Sequence, residues 1–336
     1  MNKRKLLTVF MAAALALVLA QIAYAGGGSE AAKGPVVIKC ASVDAPGGSM
    51  YVAFEYFMKE IGPRTKNAVT AELHASSELG NHRDYIDGLQ IGSIQLAEIA
   101  SSVVATVDDS FAIFDMPYIS PNERAQVATL KAGADKLLRD SLLKKANLYV
   151  GGFLVRTPRN VYCSTKPIKS IDDFRDLKIR TMESPPMLRA MALLGAKATP
   201  IPTSERYMAL QTKVVDAAEN NSGEIYFKKE YEVTKYLSKT SHIIQPNVYI
   251  FSNAFLQSLP EDLRKIVTDL CNEAADAGTK YDFDNVDVIE KKLAQDHGML
   301  INDIPDKSAF IAVLQPLYQE YTDRIGQALM DSFLKK

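Results

Sequence analysis

The chain has 336 residues, of which 47% are hydrophobic, and it carries 39 basic against 40 acidic side chains. This length suits two domains of ordinary size, and the apolar fraction is sufficient for a hydrophobic core in each. A formal charge of −1 provides neither an electrostatic footprint for nucleic acid nor a polybasic patch for anionic lipid, so these two classes of partner are excluded.

The first 25 residues have the pattern of a signal peptide. The basic residues Lys3–Lys5 precede an apolar stretch, Leu6–Ala20, and Ala23-Tyr24-Ala25 forms a small-x-small cleavage site. The apolar stretch is shorter than the ~20 residues that a spanning helix needs, although an uncleaved segment would tether the protein to the membrane. We therefore expect an exported, periplasmic protein whose mature chain begins with a flexible, glycine-rich leader over residues 26–34.

Strands and helices alternate through the next part of the chain. Apolar, β-branched runs predict the strands, and apolar residues at helical spacing predict the helices between them. The predicted order is strand Val36–Ser42, helix Met50–Ile61, strand Val69–His74, helix Arg83–Ile91, strand Ile94–Ile99, helix Glu123–Lys144 and strand Leu148–Val155. This alternation is typical of a largely parallel sheet with crossover helices.

The same rhythm begins again after residue 156. The predicted elements are strand Leu177–Thr181, helices Pro185–Leu194 and Ser204–Lys213, an extended segment Ser241–Ser252, and helices over Glu261–Gln295 and Lys307–Leu334. Two α/β units, a segment that crosses between them and a helical C-terminal third predict an α/β fold with two lobes and a hinge. In open α/β sheets a ligand lies beyond the carboxyl ends of the strands, and in a two-lobed protein these ends face the cleft.

Arginine residues at a strand end and at the predicted junction of the lobes are candidates for an anion site. Arg180 ends the strand Leu177–Thr181, and a guanidinium matches a carboxylate with two parallel hydrogen bonds. The alternative is a surface arginine that pairs with a nearby acid. Arg156 and Arg159 lie at the junction, where either could supply a second guanidinium or both could be solvated loop residues.

Two polar segments follow predicted strands. Asn220 and Asn221 end an apolar run, and amides both donate to and accept from the hydroxyl groups of a polyol or hydroxy acid. The alternative for this pair is an N-cap or Asx-turn that starts the next helix. The loop Ser76–Arg83 includes Asn81 and His82, and helix capping and ligand binding are equally open there.

The sequence shows no motif of a known enzyme or metal site. It contains no Gly-x-Ser-x-Gly elbow, no Gly-x-x-x-x-Gly-Lys loop and no His-Glu-x-x-His pair. The four histidines are scattered without metal-ligand spacing, and Cys40, Cys163 and Cys271 are expected to be buried thiols. We therefore predict a binding protein with no catalytic residue, no metal and no cofactor.

Several motifs resemble those of the solute receptors of tripartite ATP-independent periplasmic (TRAP) transporters, the DctP-like family. The similar stretches are Ser77–Arg83, Phe114–Ile119, Lys166–Ile168 with Asp176–Arg180, Gly195–Pro200 and Val215–Asn220. The resemblance runs from the first predicted strand to the last predicted helix. It implies a two-lobed, type II periplasmic-binding-protein-like fold with a long helix that spans both lobes.

The resemblance also implies a division of the chain and a role. Lobe I would comprise residues 35–156 and about 246–284, and lobe II residues 157–245 and about 285–336. The protein, expected to be a monomer, would capture a small organic acid and deliver it to the membrane permease subunits of a TRAP transporter.

The resemblance further implies roles for single residues. Arg180 matches the family's carboxylate-clamping arginine, Asn220 its ligand-facing asparagine and Arg159 its second arginine. Pro158 stands where an aromatic residue is usual, which leaves Arg156 as a rival of Arg159. Further pocket positions fall on Asn81 or His82, Ser101 or Ser102, Glu183 and Thr203.

The segment Glu219-Asn220-Asn221 resembles a branch of the family that often takes sugar acids. A hydroxylated monocarboxylate such as a uronate is therefore favoured, whereas a dicarboxylate would require two arginines at its opposite ends. Two other roles stay open: a binding protein that serves a two-component sensor, and an exported enzyme that acts on a carboxylated substrate.

Overall fold

Residues 34–334 are described by a computed structural model of the chain, in which they form two sheets with helices on their faces. The predicted signal peptide, residues 1–25, and the predicted leader, residues 26–34 with the exception of Gly34, lie outside the described residues. None of the helices between residues 34 and 334 has the length and apolar character that crossing a membrane requires.

Eleven strands lie within the described part of the chain. They are β1 (Val36–Ala41), β2 (Val69–His74), β3 (Leu96–Ala100), β4 (Leu148–Leu154), β5 (Arg159–Cys163), β6 (Lys178–Thr181), β7 (Lys197–Pro200), β8 (Ala217–Asn220), β9 (Tyr236–Ile243), β10 (Asn247–Ser252) and β11 (Leu300–Asp303). One sheet has the order β2-β1-β3-β10-β4 and the other β11-β9-β5-β8-β6-β7. We name the parts built on these sheets the first lobe and the second lobe. The predicted two-lobed α/β fold is confirmed, and the residue boundaries predicted for the lobes stay a prediction.

Each sheet contains one strand that is antiparallel to both of its neighbours. In the first lobe this strand is β10, which lies between β3 and β4. In the second lobe it is β5, which lies between β8 and β9. The prediction of a largely parallel sheet is wrong at these strands, because the chain enters each of them directly from the other sheet and not through a crossover helix.

Twelve α-helices lie between residues 34 and 334. They are α1 (Ser49–Arg64), α2 (His82–Ile91), α3 (Ser101–Val104), α4 (Glu123–Thr129), α5 (Asp135–Ala146), α6 (Pro185–Leu193), α7 (Arg206–Gln211), α8 (Ser222–Phe227), α9 (Asn253–Ser258), α10 (Glu261–Gln295), α11 (Ser308–Ile325) and α12 (Gln327–Leu334). Helix α10 has 35 residues and packs on α1 and β4 of the first lobe and on α8 of the second. The long helix that spans both lobes is thereby confirmed.

Three predicted elements are interrupted. The helix predicted over Glu123–Lys144 is broken by a π-helical turn in which Gly133 has a φ of 121°, a left-handed value that favours glycine. The helix predicted over Lys307–Leu334 is broken at Gly326, where φ is 96°. The extended segment Ser241–Ser252 is the end of β9 and the whole of β10, joined by a short connection that passes from one sheet to the other.

The cores of the two lobes contain the expected thiols. Cys40, Cys163 and Cys271 are free and buried, so the prediction for the cysteines is confirmed. Burial raises the pKa of the Cys40 thiol well above its ordinary value, which keeps the thiol neutral and suits its place among apolar side chains.

Candidate functional site

A small cavity lies between the two lobes and beyond the carboxyl ends of their strands. Its first-lobe wall begins at the N-terminus of α2 and its second-lobe wall at the end of β6. Ten residues line it: Asn81, His82, Arg83, Val103, Arg180, Met182, Glu183, Ile201, Pro202 and Thr203. Five of these were predicted from the sequence as pocket residues, and they come from three separate segments of the chain.

Arg180 is the central cation of this cavity. Its side chain is fully buried, and its Nε donates to the carbonyl oxygen of Ile201 at 2.7 Å. Both terminal guanidinium nitrogens are buried and have no hydrogen-bond partner among the described residues. Arg180 is therefore not a surface residue paired with an acid, which was the alternative left open by the sequence.

Burial is the main cause that lowers the pKa of Arg180, and the neighbouring positive charge of Arg206 lowers it further. Glu219 opposes both effects, and the resulting pKa is about 9. At neutral pH the guanidinium is still charged, so the site holds a buried cation whose two free nitrogens lack a counterion. An anion placed against these nitrogens would give the buried charge a counterion and give both nitrogens a hydrogen-bond partner.

Arg159 lies on β5 and is already paired. Its Nε and Nη2 donate to the carboxylate of Glu219, the Nη2–Oε1 distance being 2.8 Å, and its Nη1 donates to Oε1 of Gln245 at 2.9 Å. Burial alone would raise the pKa of Glu219, but the charge of Arg159 and its hydrogen bonds outweigh burial and lower that pKa to about 2. Both partners are therefore charged at neutral pH, and the guanidinium of Arg159 is committed to Glu219.

Arg156 lies outside this cavity and lines a different one. Its Nη2 donates to Oδ1 of Asn221 at 2.8 Å and lies 3.5 Å from Oε1 of Glu224, and its Nε lies 3.6 Å from Oδ2 of Asp282. The structure thus places Arg156 among acids at the junction of the lobes, and of the two rivals only Arg159 lies on a strand beside Asn220.

The two asparagines after β8 have different surroundings. Asn221 is the N-cap of α8, and its Oδ1 accepts from the backbone N–H of Glu224 at 3.0 Å. The capping alternative is therefore correct for Asn221. Asn220 is buried as the last residue of β8, opposite Asn160 of β5, and its Oδ1 accepts from the backbone N–H of Asn221.

The first-lobe wall carries polar atoms that have no partner within residues 34–334. Oδ1 of Asn81 and Nε2 of His82, both in this wall, are buried and unpaired, and so is Oγ of Ser101, which is not among the residues that line the cavity. The nearest acid to Nε2 of His82 is Glu98, whose Oε1 lies 3.7 Å away. Buried polar atoms normally have a partner, so such a group marks a place where a ligand or water supplies it.

Of the remaining predicted positions, two line the cavity and one is already hydrogen-bonded to another residue. Glu183 and Thr203 line the cavity and are half-buried. Ser102, the alternative to Ser101, is already used, because its Oγ donates to Oδ1 of Asp115 at 2.5 Å. Of these two serines, only Ser101 keeps a free hydroxyl in the described structure.

Sequence reasoning missed several residues behind the cavity. Asp115 accepts from Ser184 of the second lobe at 2.7 Å and from Gln245 at 3.0 Å, which links the lobes. Burial raises the pKa of Asp115 to about 6 although these hydrogen bonds oppose it. Asp115 lies in a stretch quoted above for its resemblance, but nothing in the local pattern indicates that its partners come from α6 and from the crossing segment.

Polar groups reach the cavity from both lobes. A buried guanidinium, an amide and an imidazole converge there, and the walls between them are the apolar side chains of Val103, Met182 and Ile201. Between residues 34 and 334, no group of three or more His, Cys, Asp or Glu side chains is arranged to hold a metal ion.

Known proteins resemble the chain over most of its length. A family model described as bacterial extracellular solute-binding protein, family 7 (DctP), matches residues 40–324. The 2,3-diketo-L-gulonate-binding periplasmic protein YiaO of Escherichia coli is 28% identical over 288 residues, which are 85% of this chain and 84% of that protein. A solute-binding protein of Chromohalobacter salexigens is 28% identical over 271 residues, 80% of either chain.

A solved structure resembles the fold closely. It is that of a TRAP periplasmic solute binding protein from Chromohalobacter salexigens with bound D-glucuronate, with a TM-score of 0.84 and 25% identity over 88% of this chain and 99% of that one. The chain belongs to the bacterial extracellular solute-binding protein family 7, and the resemblance noted from the sequence motifs is confirmed.

Proposed function

We propose that this protein captures a small hydroxylated monocarboxylic acid, a sugar acid such as a uronate, in the periplasm and delivers it to the membrane permease subunits of a TRAP transporter. The observation that carries the proposal is the state of Arg180: its guanidinium is buried, charged and has two free terminal nitrogens at a cavity between the lobes. A carboxylate supplies two oxygens at the spacing of that fork.

The charges around the site favour one carboxylate. Arg159 and Arg156 already have carboxylate partners, Glu219 for the first and Glu224 with Asp282 for the second. A second carboxylate on the ligand would therefore be buried without a free cation, which is strongly unfavourable.

Hydroxyl groups on the ligand would satisfy unpaired polar atoms of the first lobe. Oδ1 of Asn81 accepts, Oγ of Ser101 both donates and accepts, and Nε2 of His82 does either according to its tautomer. All three atoms are buried and unpaired. The names of two similar proteins, which bind 2,3-diketo-L-gulonate and D-glucuronate, agree with a ligand that combines one carboxylate with several oxygens.

A thermal-shift screen of the mature protein tests this proposal. The panel contains uronates, aldonates, C4-dicarboxylates and the neutral sugars that match the uronates. A ligand that binds only the folded state raises the melting temperature by mass action. We expect large shifts with one or a few sugar acids and none with D-glucose or D-galactose, because the neutral sugars leave Arg180 without a counterion.

Each result of the screen has a defined meaning. Shifts with neutral sugars alone would contradict the role of Arg180, and a preference for succinate would replace the sugar acid with a dicarboxylate that releases Arg159 from Glu219. Delivery is tested separately, by uptake of the identified acid into vesicles that contain the permease subunits, with and without this protein. A receptor for a sensor would bind the acid equally well but would not support uptake.

A further inference from the structure

A second small cavity lies where the loop after β1 meets helix α8 of the second lobe. Asp44 of that loop and Glu224 of α8 both line it, together with Arg156 and with Tyr281 and Asp282 of α10. The carboxyl groups of Asp44 and Glu224 are buried. Two acids on opposite lobes therefore share one small enclosed space.

The loop and the helix contact each other on both sides of this cavity. Nζ of Lys228, one residue beyond α8, donates to the carbonyl oxygen of Val43. The ring of Phe227 lies 3.0 Å from the position that a Cβ of Gly47 would occupy, and Gly47 has a φ of 91°. These contacts join the first lobe to the second, so they are made when the lobes are together.

The two acids differ in their partners. Glu224 lies 3.5 Å from Nη2 of Arg156 through one oxygen and accepts from Nη2 of Arg206 at 3.1 Å through the other. Asp44 accepts only from backbone N–H groups within the described residues, those of Ala45, Met50 and Tyr51. The cations thus neutralise Glu224 and leave Asp44 without an ion pair.

The charges around Asp44 determine its protonation. Burial is the largest effect and raises its pKa, Glu224 and Glu98 raise it further, and Lys228 and Arg156 lower it, with a resulting pKa of about 7. For Glu224 burial also raises the pKa, but Arg156, Lys228 and Arg206 outweigh it and hold that pKa well below its usual range. A proton that enters this pair therefore resides on Asp44, near neutral pH.

We propose that closure of the two lobes around the ligand takes up a proton, which Asp44 holds where it meets Glu224, so that the protein binds its ligand more tightly as the pH falls. This inference rests on the proposed function, since it requires a ligand whose binding brings the lobes together. When the lobes part, α8 leaves the loop and Asp44 meets water as an ordinary carboxylate.

The sign and size follow from proton linkage. Asp44 binds its proton more strongly in the closed form than in the open form, so a lower pH favours the closed, ligand-bound form. The ligand affinity does not change with pH above about pH 8. Below pH 7 it rises by at most about tenfold for each unit that the pH falls, until Asp44 is protonated in the open form as well. Between pH 7.5 and pH 5.5 we expect an increase of about 25-fold.

Isothermal titration calorimetry tests the inference with D-glucuronate, or with the acid that gives the largest shift in the screen. Affinity is measured from pH 5.5 to 8, a range in which the carboxylate of the ligand stays charged. Titrations in buffers of different ionisation enthalpy at pH 6.5 give the number of protons taken up per ligand. We expect the wild-type protein to take up protons when it binds the ligand. The Asp44→Asn variant should take up fewer, and the difference should be at most about one proton per ligand.

The comparison between variants isolates Asp44 from Asp115, whose pKa burial raises to about 6. Asp87→Asn, at an exposed carboxylate on α2, is the control and should keep the wild-type pH dependence. If Asp44→Asn keeps it as well, or if the wild-type protein takes up no proton, the inference is wrong while the proposed function stands. If no acid in the screen binds, the proposed function itself fails and the inference fails with it.

Discussion

Four arginines are buried within or beside the second lobe, and three of them have carboxylate partners. Arg159 pairs with Glu219, Arg206 with Glu224 and Glu230, and Arg156 lies within 3.6 Å of acids. Arg180 has only a carbonyl oxygen. A buried charge without a counterion costs several kcal/mol, so a fold that retains one at its interlobe cavity needs a compensating partner. In the proposed function a bound anion is that partner.

The shape of the Arg180 side chain should matter as much as its charge. Arg180→Lys keeps a cation but loses the planar fork, so at least one charge-assisted hydrogen bond of about 1.5–3 kcal/mol is lost. We expect ligand affinity to fall by about tenfold or more for Arg180→Lys, and by about 100-fold or more for Arg180→Ala. Calorimetry of the purified variants measures both. Arg175→Ala, at an exposed arginine on the same segment, is the control, and binding by Arg180→Ala within a few-fold of wild type would contradict the clamp.

The Arg159–Glu219 pair should contribute to stability in a way that a double variant reveals. Glu219→Gln leaves the guanidinium of Arg159 buried without its counterion, and loss of one partner of a buried pair costs about 3–5 kcal/mol. We expect the free energy of unfolding in urea at pH 7 to fall by that order. The double variant Arg159→Met with Glu219→Gln should regain most of the loss. A Glu219→Gln variant as stable as wild type would show that the Arg159–Glu219 pair does not contribute to the free energy of unfolding.

The pH dependence of that contribution follows from the lowered pKa of Glu219. The folded-state pKa of about 2 lies below the ordinary glutamate pKa of 4.5, so the unfolded state binds the proton more strongly. The stabilisation is complete above about pH 5 and is lost as the pH falls towards 2. Urea unfolding of wild type and Glu219→Gln at pH 7 and pH 4 measures it, and the difference between the two proteins should narrow at the lower pH.

At the scale of elements, the close packing of α10 depends on a glycine in the middle of the helix. A Cβ at Gly278 would lie 2.8 Å from the carbonyl oxygen of Ser49 and 3.0 Å from Cβ of Ala53, both on α1. Glycine normally weakens a helix by about 1 kcal/mol relative to alanine. At Gly278 the absence of a side chain allows α10 to approach α1 closely. The two helices together cover the first sheet.

Gly278→Ala should therefore destabilise the protein although alanine is the better helix former. Overpacking a close helix contact costs about 1–3 kcal/mol, which exceeds the gain in propensity. The adjacent change Ala277→Gly, at a half-buried position, should cost about 1 kcal/mol by propensity alone. Urea unfolding of both variants separates the two effects. Equal or greater stability of Gly278→Ala would mean that the helices are not held at this distance.

Strands and helices were predictable where the residues nearby decide the structure. Helix α6 begins at Pro185 as predicted, and the apolar runs predicted β1, β3 and β6. The break at Gly133 was not predictable, because helical spacing continues through it on both sides. Strand β5, with Arg159 and Asn160 buried in it, lacks an apolar pattern, since its polar side chains are satisfied by residues far along the chain.

The same limit applies to the candidate site. The sequence and its resemblance to a family placed Arg180, His82 and Thr203 at one pocket, and the structure brings them to one cavity. Whether an arginine in that pocket is free or paired depends on contacts over long separations. Arg159 is hydrogen-bonded to Glu219, 60 residues further along the chain, and to Gln245, 86 residues further along. No local pattern in the sequence indicates such a pairing.

For the whole molecule, the buried position of Arg180 requires that the lobes move. A solute cannot reach two nitrogens that are closed off from solvent unless the lobes part, and the contacts that must break include Ser184 to Asp115 at 2.7 Å and Lys228 to Val43. Closure around a ligand is the corresponding motion. We expect small-angle X-ray scattering to show a smaller radius of gyration with the bound acid than without it. Arg180→Ala at the same acid concentration should keep the larger value, and an identical radius for wild type in both conditions would mean that the ligand enters without lobe opening.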